Sequence, residues 1–345
     1  MRNSIKAIFI IIGTTIGAGF ASGQEIYSFF NIYGENGLLG LIISNIITAF
    51  IIYNVLKISN KKDINSYSDL LNKLKINEKI TNIITLIMKI FLLISFYIMV
   101  AGFTAYFKQE FNIPNSVTAI CILILCYITF MKNIDGIARI NTVAIPILIV
   151  IIIIMGTKIN VLNSINTINF SNITFSGNWI LKSLEYASYN SILLLPILIS
   201  IKEYTKNNEK KVSIITGSIL FLLSFIIYIM INQYSNINVE IPLVYIASKF
   251  GSFYKNIYGL VILLAIFTTM IASGYGFLQN CSDNKKTYRI LALIICVTAI
   301  FVSNISFSNL VNLTYPVFGI LGLIQLVFIV TGWWFYLLFI LKNIS

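Results

Sequence analysis

Apolar and polar positions alternate along this chain in blocks. Runs of apolar residues are separated by shorter segments rich in Lys, Asn and Ser. About 20 helical residues cross a hydrocarbon core of about 30 Å, so each block predicts a membrane-spanning helix. Ten blocks are legible, at about 5–31, 37–57, 80–107, 116–131, 138–158, 179–201, 212–231, 255–279, 289–303 and 311–341. The fourth and ninth are short enough to sit recessed in the bilayer. The tenth is long enough to be either one helix or two shorter segments.

The spacing of the blocks repeats. Long polar segments at 58–79 and 232–254 join spans 2 to 3 and 7 to 8, and the connections 4–5 and 9–10 are both short. Spans 1 and 6 both carry polar interruptions, "GAGFASGQE" and "EYASYNS". This predicts one transmembrane domain over 1–345, with one copy of a plan at about 5–158 and a second at about 179–341. Five spans is an odd number, so the second copy enters the membrane from the opposite side. That is the inverted five-plus-five repeat of many secondary transporters, with helices 1 and 6 discontinuous.

The cationic residues fix an orientation. With the N-terminus inside, the inner segments hold Arg2, Lys6, Lys57, Lys61, Lys62, Lys73, Lys75, Lys79, Lys132, Arg139, Lys202, Lys206, Lys210, Lys211, Lys285, Lys286, Arg289 and Lys342. The outer segments hold only Lys108, Lys158, Lys249 and Lys255. The positive-inside rule therefore predicts a multi-pass protein of the cell membrane with both termini cytoplasmic. Lys89, near the inner end of span 3, can snorkel to the interface.

Composition narrows the chemistry. The chain is 58% hydrophobic and 10% charged, far from the roughly 25% charged residues of soluble domains. It has no histidine, which removes the commonest general base and metal ligand and argues against an enzyme. The net charge of +12 lies in short loops and not on one folded face, so no nucleic-acid partner is expected. Cys121, Cys126, Cys281 and Cys296 form no C-x-x-C pair, and no resident cofactor is expected. The oligomeric state is not legible.

The candidate site lies where span 1 interrupts itself. Backbone in lipid must satisfy its own polar groups, so an unwound stretch survives only against protein or a cavity. Gly17, Ala18, Gly19, Phe20, Ala21, Ser22 and Gly23 are the expected unwound, substrate-facing segment. Its glycines equally fit G-x-x-x-G helix packing. "SGQE" reads as a capping box, with Ser22 as N-cap and Glu25 three residues on, so the second half-helix is expected to start there with free N–H groups near Ala21–Gly23. Glu25 is then either a cap or a group that couples transport to a proton or cation. In span 6, Glu185, Tyr186 and Ser188 are candidate substrate contacts. Glu185 is either a mid-membrane functional acid or the i, i+3 partner of Lys182. Tyr97, in span 3, either lines the cavity or packs as an ordinary aromatic.

At these residues the chain resembles a known family. "GTTIGAGFASGQEIYSFFNIYGENG" is similar to the opening of the YkvI-like amino acid permeases of the amino acid–polyamine–organocation superfamily. The resemblance implies the LeuT-type fold, an all-α membrane protein of about ten helices. It also implies a sodium site built from the Gly13 and Ile16 carbonyls of helix 1, with the Ala265 carbonyl and the Thr268 and Thr269 hydroxyls of span 8, where "AIFTT" matches A-x-x-[ST]-[ST]. The alternative for those threonines is a bond back to their own helix. The function implied is cation-coupled transport, by Na+ or H+, of an amino acid or similar small zwitterion. Spore-germination receptor subunits also resemble this superfamily, so nutrient sensing is the alternative.

Overall fold

The computed structural model describes residues 2–64, 69–70, 77–131, 135–159, 178–234, 239–282 and 284–342. Every regular element among them is helical. In chain order they are α1 (Arg2–Thr15), α2 (Ala18–Ser22), α3 (Gln24–Phe29), a 3-10 turn (Asn31–Tyr33), α4 (Glu35–Lys62), α5 (Glu78–Phe111), α6 (Asn115–Met131) and α7 (Asp135–Lys158). The second half holds α8 (Trp179–Ser200), α9 (Lys202–Thr205), α10 (Glu209–Gln233), α11 (Pro242–Ser248), α12 (Ser252–Cys281), α13 (Lys285–Val302) and α14 (Phe307–Lys342).

A helix falls on each of the ten expected spans. Glu35–Lys61, Glu78–Phe111, Glu209–Gln233, Ser252–Cys281 and Phe307–Val327 are long and apolar enough to cross a membrane unaided. The tenth span is one helix, which carries Pro316 within it. Large apolar side chains such as Ile46, Phe50, Leu86, Ile124, Leu222, Leu260 and Leu293 stand exposed on the outside of the bundle, where a bilayer would cover them.

The packing obeys the expected repeat. Let α1–α3, α4, α5, α6 and α7 correspond to α8, α10, α12, α13 and α14. The α1–α10 contact then has its counterpart in α8–α4, and α5–α14 in α12–α7. The same exchange takes α5–α6 to α12–α13, α1–α7 to α8–α14, and α5–α13 to α12–α6. The pairs α4–α10, α5–α12, α6–α13 and α1–α8 map onto themselves, as helices lying on a two-fold axis must. The chain is an all-α membrane protein with the LeuT-type arrangement.

The interruption of the sixth span is not where the polar run suggested. α8 continues through Glu185–Ser191 without a break and stops only at Ile201, before α9. The polar side chains explain this. Ser188 Oγ donates to the Leu184 carbonyl, Asn190 Nδ2 to Tyr186, and Ser191 Oγ to Ser188. Each is satisfied on an intact helix, so none needs an unwound one.

Candidate functional site

Helix 1 breaks twice. The ladder of α1 ends with the Ile16 N–H on the Ile12 carbonyl, and Gly17 is extended (φ −80°, ψ −176°). Thr14 and Thr15 bond back to the Ile10 and Ile11 carbonyls in the last turn. α2 runs for five residues and ends at Gly23, whose φ of +81° is a left-handed conformation that glycine adopts without strain. α3 follows at once, with Gly23 as its N-cap.

The expected capping box does not form. Ser22 closes α2 instead: its hydroxyl donates to the Gly19 carbonyl and accepts from the Gln24 N–H at 3.2 Å. The N–H groups of Ala21 and Gly23 are likewise engaged, on the Gly17 and Phe20 carbonyls. The segment Ala21–Gly23 is therefore no open cradle for an anion. The Ala21 carbonyl is engaged as well: it accepts from Tyr258 Oη of α12 at 2.6 Å.

Freed from capping, Glu25 turns into the bundle, where it is 2% exposed. Tyr189 of α8 donates its hydroxyl to Glu25 Oε1 at 3.2 Å. The Tyr315 hydroxyl of α14 and the backbone N–H of Phe20 also approach the carboxyl. Oε2 is buried with no hydrogen-bond partner among the described residues. All the donors that face this acid are neutral. An isolated charge in such a place is costly unless it is neutralised or paired.

The surroundings are aromatic. Tyr189 and Tyr315 stack at 4.7 Å between ring centroids. Tyr186 meets Phe29 and Phe30 edge-on at 5.2 and 5.0 Å. Gly19 is packed under this group, where a β-carbon would strike Glu25 Oε1 and come within 2.8 Å of Tyr315 Oη. Its lack of a side chain is what lets the carboxyl reach the break. Ala18 and Phe20 are buried beside it. Gly17 has open space around its α-carbon.

The other expected residues lie elsewhere. Glu185 is buried but paired with Lys182 at 2.6 Å on the same helix, and its backbone lies against Gly319 of α14. The Ser188 carbonyl packs in the same way on Gly322. Tyr97 bonds to Thr298 of α13 at 2.7 Å, at the α5–α13 contact. Of the cation set, Thr268 is fully buried, and its hydroxyl lies within hydrogen-bonding distance of the Leu264 and Ala265 carbonyls. Thr269 is half-buried, and Gly13 is held against Ile145 of α7. Three residues of the centre were not singled out from the sequence: Tyr189, Tyr315 and Tyr258. Tyr189 stands inside the quoted polar run, whereas Tyr315 and Tyr258 carry no local signal.

No protein-family model matches the chain. It is 28% identical over 336 residues to the uncharacterized protein YyaD of Bacillus subtilis, covering 94% of this chain and 96% of that one. It is 24% identical over 321 residues to the uncharacterized membrane protein YkvI of the same organism, covering 91% and 92%. Among solved structures it is similar to a manganese transporter of Eremococcus coleocola, with a TM-score of 0.62, 11% identity, and coverage of 95% of this chain and 77% of that one. It is also similar to a Na+-coupled sialic acid symporter, with a TM-score of 0.55, 12% identity, and coverage of 94% and 75%. At such identities the likeness is one of fold, and it agrees with the pairing of helices across the repeat.

Proposed function

We propose that this protein is a secondary transporter of the cell membrane, with both termini cytoplasmic. It moves a small amino-bearing solute, an amino acid or a similar molecule, by alternating access coupled to a cation. The observation that carries this reading is Glu25: a buried acid inside the broken first helix, with one oxygen unpartnered and only neutral donors around it. Such a group has to be neutralised before the centre can close, and a proton, a metal cation or an ammonium group can each do so. The tyrosine and phenylalanine rings around it suit an ammonium as well. Two proteins of similar fold, a manganese transporter and a Na+-coupled sialic acid symporter, support transport as the use of this architecture.

Glu25 is the better candidate than Glu185 for coupling, because Lys182 already neutralises Glu185. Sodium, if used, falls to Gly13, Ile16, Ala265, Thr268 and Thr269, whose donors are all neutral oxygens. The test is a thermal-shift screen of the purified chain against the common amino acids and simple amines, with and without Na+. A bound ligand at one hundred times its Kd stabilises by about 2.7 kcal/mol, which is readily seen. At least one solute should raise the melting temperature of the parent protein and fail to do so in Glu25→Gln. A solute that stabilises both equally would remove Glu25 from the site.

A further inference from the structure

A cavity of about 560 Å³ opens between the inner end of α4 and the start of α10. Its polar wall is Lys57, Asn208, Lys210 and Lys211, and its apolar wall includes Tyr53 and Ile214. Neither the broken helix nor the cation set reaches it. We propose that this cavity is a binding site for the phosphodiester headgroup of an anionic phospholipid of the inner leaflet.

The cavity is cationic. Lys57, Lys210 and Lys211 are exposed side chains that converge on one cavity from two helices. The single acid on its wall, Glu209, is already engaged: Oε1 accepts from Asn60 Nδ2 at 2.7 Å and from the Asn207 N–H at 3.3 Å, and three lysines outnumber it. Lys57 is already posed, with its ammonium 2.9 Å from Tyr53 Oη and 5.1 Å from the centre of that ring. Asn208, the N-cap of α10, makes no side-chain cap and lines the cavity, so the positive end of a 25-residue helix lies beside it.

Apolar side chains continue the cavity along the same two helices. One turn beyond Lys210, Ile214 is 53% exposed, and further on Leu222 is 49% exposed. On α4, Phe50 and Ile46 are 60% and 63% exposed, about two and three turns from Lys57 towards the membrane interior. α4 and α10 pack together, so the cationic mouth leads into a lipid-facing apolar seam. A free phosphate would use only the mouth, whereas a phospholipid uses both. Even with Lys57, Lys210 and Lys211 set aside, the remaining lysines and arginines favour this end as the cytoplasmic surface, where anionic lipids create a negative potential.

The experiment is native mass spectrometry of the full chain in a neutral detergent, after incubation with phosphatidylglycerol or phosphatidylcholine. The parent protein should retain phosphatidylglycerol preferentially. The exposed triple variant Lys57→Gln/Lys210→Gln/Lys211→Gln should lose several-fold of that retention. Lys249→Gln, on the opposite side, should not. The unliganded melting temperature of each variant checks that the fold is kept. Equal retention of both lipids, or unchanged retention in the triple variant, overturns the proposal. So does displacement of phosphatidylglycerol by glycerol 3-phosphate alone, which would assign the mouth to soluble phosphates.

Discussion

The Tyr189 hydroxyl donates to Glu25 Oε1 at 3.2 Å, and this bond joins the first helix of one repeat to the first helix of the other. Around it the two halves meet face to face: Tyr315 stacks on Tyr189 from the last helix, and Phe29 and Phe30 close on Tyr186. In folds built from inverted repeats, alternating access is largely the rocking or gating of one repeat or bundle against the other. The Tyr189–Glu25 bond is a buried polar tie between the two repeats.

Tyr189→Phe removes the donor and keeps the ring. The variant should fold, with stability changed by about 1 kcal/mol, since one hydrogen bond to a group that keeps other partners is lost. Ligand affinity should fall more than stability. This is measured by comparing unliganded melting temperatures with the ligand-induced shift in both proteins.

Gly19→Ala should push the Glu25 carboxyl out of the break, because the new β-carbon meets Glu25 Oε1 and Tyr315 Oη. Overpacking of this kind costs about 1–3 kcal/mol. Gly17→Ala is the matched control, as its β-carbon would stand in open space. Gly217 would be a poor control, because a side chain there meets Ala49 on the α4–α10 contact at 2.8 Å. Solute binding should be lost in Gly19→Ala and kept in Gly17→Ala.

Lys182→Met should leave the Glu185 carboxylate buried without its partner. The cost should be roughly 3 kcal/mol or less, because the lysine end of the pair is still one-fifth exposed and partly screened. Adding Glu185→Gln should restore most of the loss, as a double-mutant cycle of melting temperatures would reveal. Full recovery with unchanged solute binding would assign the pair to structure alone.

Thr268→Val and Thr269→Val remove the two hydroxyls while keeping volume. If Na+ is the coupling ion, its stabilising effect should fall steeply in both, and more in Thr268→Val, the fully buried position. Unchanged Na+ dependence would pass the coupling to Glu25.

The block pattern made the ten helices readable, because only long apolar runs can bury themselves in lipid. The first break was readable too, since Gly17, Gly19 and Gly23 stand beside polar residues that no helix-packing motif requires. Its internal geometry was not. The left-handed turn at Gly23 separates Ser22 from α3, so the apparent capping box dissolves and Glu25 is released inward. The sixth span misled for a related reason: hydroxyls and amides that look exposed in sequence are satisfied by their own helix. Tyr315 and Tyr258 were invisible because 19 tyrosines and 25 phenylalanines are spread through the chain, and only packing selects the two that face the break.

The most direct test of the account is solute accumulation in proteoliposomes under an imposed proton or sodium gradient, using a labelled solute found by the stability screen. The parent protein should concentrate it, and Glu25→Gln should not, although that variant keeps the fold and inserts normally. Equal accumulation by Glu25→Gln would contradict the claim that the acid in the broken first helix carries the coupling.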